Sequence, residues 1–92
     1  MINESLIPID LSCLRKQGNA NLNANNNTTI GMYVVPQNQN ATNYPFSGGN
    51  GFLVVFAPRS DVIYQLCSNY IGSTWVRICW FGTWREWIRI TN

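Results

Sequence analysis

From Ile30 onward, short apolar stretches alternate with turn signals at the spacing of a small β-protein. Gly31-Met32-Tyr33-Val34-Val35 predicts a strand that Pro36 closes, and residues 37–43 form a polar loop. Tyr44-Pro45-Phe46 then leads into the turn cluster Ser47-Gly48-Gly49-Asn50-Gly51, which releases a strand from Phe52 to Ala57. Pro58-Arg59-Ser60-Asp61 is expected to break that strand, because proline lacks the donor a ladder needs. Val62 to Cys67 predicts the next strand, Asn69 to Ser73 a turn, and Thr74 to Phe81 the longest strand.

The segment from Trp75 to Ile90 reads as a Trp-rich hairpin. Gly82-Thr83 is a Gly-X pair of the kind that makes a two-residue type II′ loop. That loop would set Phe81 opposite Trp84, Cys79 opposite Glu86, Ile78 opposite Trp87 and Val76 opposite Arg89. Side chains alternate across a sheet, so one face would carry Trp75, Arg77, Cys79, Phe81, Trp84, Glu86, Ile88 and Ile90. The other would carry Val76, Ile78, Trp80, Arg85, Trp87 and Arg89. Both faces are apolar, whereas a solvated antiparallel sheet normally keeps one face polar, so each side requires a cover. Arg77 and Glu86 are expected to form a shielded ion pair on the first face, and Arg85 and Arg89 to stack on Trp87 on the second.

The first 29 residues differ in character. Ile2, Leu6, Ile7, Ile9 and Leu11 are spaced for a short strand or a tight wrap, after which the chain turns polar, with Asn at positions 19, 21, 23, 25, 26 and 27. No periodic apolar face runs through residues 17–29, so they read as loop. Residues 1–29 are therefore expected to be an attachment segment and Asn-rich linker, and residues 30–92 a β domain. The expected fold class is all-β: a small antiparallel, sandwich-like knob of about five strands with an extended N-terminal anchor.

Only 11% of the 92 residues are charged while 46% are hydrophobic, against roughly 25% charged in an average soluble domain. Neutral amides and hydroxyls must supply much of the polar surface, or other chains must cover apolar surface. The net charge of +2 comes from scattered residues, without the basic stripe that phosphate binding uses, so nucleic acid is not the expected partner. The longest apolar runs are far too short to cross a bilayer, and Glu4 and Asp10 interrupt what would be the apolar part of a secretory signal. Cys13, Cys67 and Cys79 cannot all pair within one chain and show no metal spacing. Free buried thiols are the expectation, with a Cys67–Cys79 bridge as the alternative.

Histidine is absent and four carboxylates remain, which removes the usual general base and activator of a Ser or Thr nucleophile. Gly48-Gly49-Asn50-Gly51 lacks the Lys-Ser/Thr sequel of a phosphate cradle. Neither catalysis, a metal nor a cofactor is expected. Binding is the remaining chemistry, and Tyr64, Arg85, Trp87 and Arg89 are its candidates because polar neighbours surround the rings. Trp75, Arg77, Trp80, Phe81, Trp84 and Glu86 are assigned to structure and subunit interface.

The order of motifs resembles the knob or tip modules of bacteriophage tail fibres and of R-type pyocin fibres. The resemblance spans Leu22 to Ile90. It runs through Thr29-Ile30-Gly31-Met32-Tyr33-Val34-Val35, Ala41-Thr42-Asn43-Tyr44-Pro45, Gly51-Phe52-Leu53-Val54-Val55, Gln65-Leu66, Val76-Arg77 and the closing Gly82-Thr83-Trp84-Arg85-Glu86-Trp87-Ile88-Arg89-Ile90. It implies a compact β module that forms a homotrimer near the end of a fibre and contacts host-surface glycan. It also implies a virion component, made in the host bacterial cytoplasm; the family's long repeat-bearing shaft is replaced here by the short N-terminal segment, through which the chain is expected to join another virion protein. A capsid head-fibre or decoration subunit with no receptor role is the alternative, and a glycan-degrading enzyme a more remote one.

Overall fold

The computed structural model describes residues 18–38, 40–47 and 50–91. The anchor residues Ile2, Leu6, Ile7, Ile9 and Leu11, like Cys13, lie outside the described residues. The fold is all-β, as expected: β1 (Gly31–Val34), β2 (Gly51–Arg59), β3 (Val62–Asn69), β4 (Thr74–Trp80), β5 (Thr83–Trp84) and β6 (Ile88–Arg89). They form one antiparallel sheet in the order β1-β2-β3-β4-β5, with β6 also paired to β4.

The second layer is not another sheet but the Asn-rich stretch itself. Gly18 O accepts from Val34 N, and Ala20 N donates to Val34 O, both at 2.8 Å, so the chain joins the sheet beside the end of β1. It then crosses the inner face through a 3-10 turn at Ala24–Asn26, with Ala20, Ala24 and Asn27 buried. Residues 18–29 therefore pack on the domain, where the sequence suggested a spacer. Between the two layers Val35, Leu53, Val55, Ile63, Cys67 and Cys79 form the core, flanked by Tyr33, Tyr44, Phe46, Trp84 and Trp87. Apolar periodicity could not reveal this layer, because it is fixed by backbone bridges and amide side chains.

Two elements depart from the sequence-based register. Pro58 lies inside β2, at a shift in register between Phe56 and Arg59, where a bulge leaves its missing donor unneeded. At the hairpin, Trp80 pairs with Thr83 and Cys79 with Trp84, so the loop is Phe81-Gly82 rather than Gly82-Thr83. Both loop residues have positive φ, +51° and +86°, the signature of a type I′ turn. A bulky residue in that region is strained by about 1–2 kcal/mol. The offsetting contacts are the Trp80–Phe81 ring stack at 5.1 Å, Arg59 over the Phe81 ring, and a 2.7 Å bond from Phe81 N to Asp61 O.

Further along, Trp75 pairs with Arg89 and Val76 with Ile88, one residue out of step with the Cys79–Trp84 pair. Residues 85–87 absorb the difference. A one-residue slip exchanges faces, so Arg89 joins the Trp75 side and Ile88 the Val76 side, the reverse of expectation. Cys67 pairs with Trp75 while Cys79 pairs with Ile63, which separates the thiols by four residues along the ladder. At roughly 13 Å, against a limit of about 7 Å for bridging, they are free cysteines, both buried.

Glycine is required at position 51. A Cβ there would meet Ser68 O at 2.2 Å and the Phe46 ring at 2.8 Å, and that ring also packs against Trp75 at 5.4 Å. Gly51→Ala is expected to lower stability by roughly 1–3 kcal/mol through overpacking, read from the midpoint of urea unfolding; an unchanged midpoint would show that β2 and β3 separate freely here.

Candidate functional site

The centre of the inner face is polar. Arg77, only 6% exposed, donates through Nε to Gln65 Oε1 at 2.8 Å. Gln65, fully buried, donates in turn to the carbonyls of Ala24 and Asn27 at 2.8 and 2.9 Å. Asn27 Oδ1 accepts from the backbone N of Asn21, its Nδ2 donates to the Tyr44 hydroxyl, and that hydroxyl donates to Asn21 O. The sheet and the Asn-rich layer are thus joined by one continuous network rooted on β3 and β4.

The guanidinium is gripped from the hairpin side as well. Its Cζ lies 4.0 Å from the Trp84 ring centre and 4.5 Å from that of Trp87. The Cys79–Trp84 register places the first indole there, and the irregular residues 85–87 swing the second onto the same side. Trp87 is held in turn by donation from Nε1 to Asn43 O at 2.8 Å. Asn43 has a positive φ of 64°, tolerated by asparagine, and its Nδ2 donates to Asn23 Oδ1. Cation–π contact in a desolvated setting is worth about 2 kcal/mol. The partners of Arg77 are therefore an amide and two indoles, and the anticipated ion pair with Glu86 is not among them.

A cleft of about 340 Å³ opens between this hairpin arm and the Asn-rich layer, lined by Asn25, Asn43, Tyr44, Arg77, Trp84, Arg85, Glu86 and Trp87. Of the four residues assigned to binding, Arg85 and Trp87 meet here. Tyr64 lies on the opposite face of the sheet against Phe56. Arg89 sits towards the far end of β4, donating to Ser73 Oγ and lying over Trp75. The guanidinium–indole contacts on these strands are Arg77 with Trp84 and Trp87 and Arg89 with Trp75, in place of the expected stacking of Arg85 and Arg89 on Trp87. Gln65, Asn25, Asn27 and Asn43 were not anticipated. The available signal was Gln65, a lone amide at an inward position of an otherwise apolar strand.

The outer face is the converse. The outward positions Met32, Val34, Phe52, Val54, Phe56, Tyr64, Leu66, Val76, Ile78 and Trp80 include no charged residue. Val34, Phe52 and Trp80 are roughly half exposed, at 57%, 47% and 50%. Among the described residues no three His, Cys, Asp or Glu side chains gather as a metal site, and no helix is long and apolar enough to cross a membrane.

Three solved structures share this architecture. The R1 pyocin fibre of P. aeruginosa superposes at a TM-score of 0.69, with 28% identity over 84% of this chain and 21% of its own. The R2 pyocin fibre of the same species gives a TM-score of 0.71 and 28% identity, covering 84% of this chain and 22% of that one. The fold is that of the phage tail-fibre module family. An N-truncated R2-type pyocin tail fibre matches equally well, with 32% of its length covered. The chain thus spans between a fifth and a third of the tail-fibre chains it matches. No protein-family model matches the sequence, and no curated protein matches it.

The buried network also sets an alkaline response. Burial pushes the Cys67 thiol up from 9.0 to about 12, with Arg77 pulling weakly the other way, and burial draws Arg77 down from 12.5 to about 10. Above pH 9 the unfolded chain releases the Cys67 proton that the folded chain keeps, so stability falls as pH rises. Above pH 10 the Tyr44 hydroxyl, also held above its ordinary value chiefly by burial, adds to that loss, while the lowered Arg77 opposes it. Thermal stability is therefore expected to begin falling from about pH 9, and Cys67→Ala to flatten the onset of that slope. At neutral pH, Gln65→Leu should destabilise by roughly 3 kcal/mol or more, because it takes the Gln65 bond from the Asn27 carbonyl and from the Arg77 Nε–H and leaves the Ala24 carbonyl only its bonds from Asn27; a loss below 1 kcal/mol in urea titration would mean the layers do not depend on it.

Proposed function

We propose that the chain is an oligomeric structural module of a phage-type tail fibre, a homotrimer carried on the particle, that contributes to attachment at the bacterial surface. The observation that carries this reading is the uncharged outer face, taken with the likeness to pyocin fibres. An uncharged outer surface that continues across β1 to β4, with Val34, Phe52 and Trp80 about half exposed, is the kind of contiguous apolar patch that marks an interaction surface. Copies of the chain meeting through that face would bury Phe52, Val54, Leu66, Val76 and Ile78 together. They would leave the opposite side, with Arg85 and Trp87, turned outward towards glycan.

The path of the chain supports a polarity suited to a fibre. The register Val34–Phe52–Ser68–Thr74 runs across one end of the sheet. The chain joins that end at Gly18, and Thr91 Oγ1 accepts from Thr74 N there. Attachment to another virion protein through residues 1–14 would therefore load this end, while the Arg59–Asp61 and Phe81-Gly82 turns form the other. The free thiols Cys67 and Cys79 suit synthesis in a reducing bacterial cytoplasm.

Light scattering after size-exclusion chromatography is expected to give a trimer at micromolar concentration. The double variant Val54→Lys, Leu66→Lys should run as a monomer with an unaltered far-UV spectrum. A wild-type chain that stays monomeric under those conditions removes the proposal.

A further inference from the structure

The cleft beside Arg77 has two polar groups that the chain itself does not satisfy. Arg77 is a buried cation whose Nη2 has no hydrogen-bond partner, and among the described residues no carboxylate forms an ion pair with it. The Arg59–Asp61 ion pair lies at the turn between β2 and β3, away from the inner face. Buried charges are ordinarily paired with an opposite charge, and the flanking indoles hold this guanidinium without neutralising it. Asn25 Oδ1, lining the same cleft, is buried and has no donor. Arg85 and Glu86 are exposed at the same cleft, which sets two guanidinium groups against one carboxylate.

An anionic group answers the first deficit and a hydroxyl donor the second. The volume of about 340 Å³ lies within the range of small-molecule pockets. Its mixture of indole edge, amide and charge is suited to a ring that carries both hydroxyls and an acid. We propose that this cleft binds an acidic saccharide, with its carboxylate or phosphate towards Arg77 and Arg85 and its hydroxyls donating to Asn25 and Glu86. The saccharide identity rests on the reading of the chain as a surface-attaching fibre module; the demand for an anion rests on the site alone.

The test is a nuclear magnetic resonance titration of the full chain with glucuronate, glucose 6-phosphate, glucose and inorganic phosphate, following the Trp87 indole N–H and the backbone amides of Asn25, Arg85 and Glu86. The acidic sugars are expected to move these signals saturably, glucose to bind roughly tenfold more weakly or worse, and the stronger of the two acidic sugars to identify carboxylate or phosphate as the recognised group. Asn25→Asp, which sets a carboxylate in the cleft, and Arg85→Gln should each weaken acidic-sugar binding while leaving the unfolding midpoint near that of wild type. Equal binding of glucose, equal binding of inorganic phosphate alone, or no movement of these signals with any probe overturns the proposal. Pull-down of the wild-type oligomer on host cells separates it from the broader reading. Cell binding that survives both variants removes the cleft and keeps the fibre module, whereas saturable cleft binding without cell binding removes surface attachment and keeps the cleft.

Discussion

The bond from Arg77 to Gln65 is the constraint around which the domain is organised. A strand that faces a core ordinarily excludes both residue types, because burying a charge or an amide is unfavourable unless its hydrogen bonds are replaced. Here the replacement comes from the chain itself. Gln65 holds two carbonyls of the Asn-rich layer, and Arg77 holds Gln65 while receiving the faces of Trp84 and Trp87. Each participant makes sense only in the presence of the others. Without the layer Gln65 would face solvent, and without the hairpin's irregular residues 85–87 the Trp87 indole would not reach Arg77.

The hairpin shows how such a constraint overrides local turn chemistry. Gly-Thr is a sound II′ pair, and on turn preference alone the loop belongs at Gly82-Thr83. The observed loop puts Phe81 in a left-handed conformation that an aromatic residue resists. In exchange it brings Trp84 opposite Cys79, diagonal to Arg77, where its ring covers the guanidinium. A side-chain contact worth about 2 kcal/mol when desolvated is of the same size as the backbone strain, so the choice of loop is decided by tertiary contacts.

Strand positions were legible because they depend on apolar runs bounded by Gly, Pro and Asn, and four of the six strands fall where those runs predict them. Val76, Ile78 and Trp80 were legible as one face of β4 in the same way. The role of residues 18–29 was not. A segment that packs through Ala20, Ala24 and the amides of Asn21, Asn23 and Asn27 has no apolar period to detect, and its composition matches that of a solvated loop. The cleft was half legible: Arg85 and Trp87 were marked by their neighbours in sequence, but Asn25 and Asn43 come to them only after the layer folds over. The reading of Tyr64 with them failed to bring these residues together because a single β-sheet separates its two sides completely, and Tyr64 lies on the odd one out.

The low charge of the chain follows from this two-sided construction. A sheet one layer thick has two faces to cover, and the chain itself covers the inner one. Neutral amides cover the inner face; they can bond to a buried carbonyl, a tyrosine hydroxyl and a guanidinium without bringing in a second charge to desolvate. On the outer face, uncharged side chains are a requirement if copies of the chain are to meet there, since any Lys or Glu at an outward position would have to be buried unpaired. Arg77 is the exception that the inner layer permits. Its charge is retained in the least hydrated part of the fold, beside a cleft whose lining includes a second guanidinium, and a buried positive field without a fixed counter-charge is the feature of this domain that most requires a ligand to complete it.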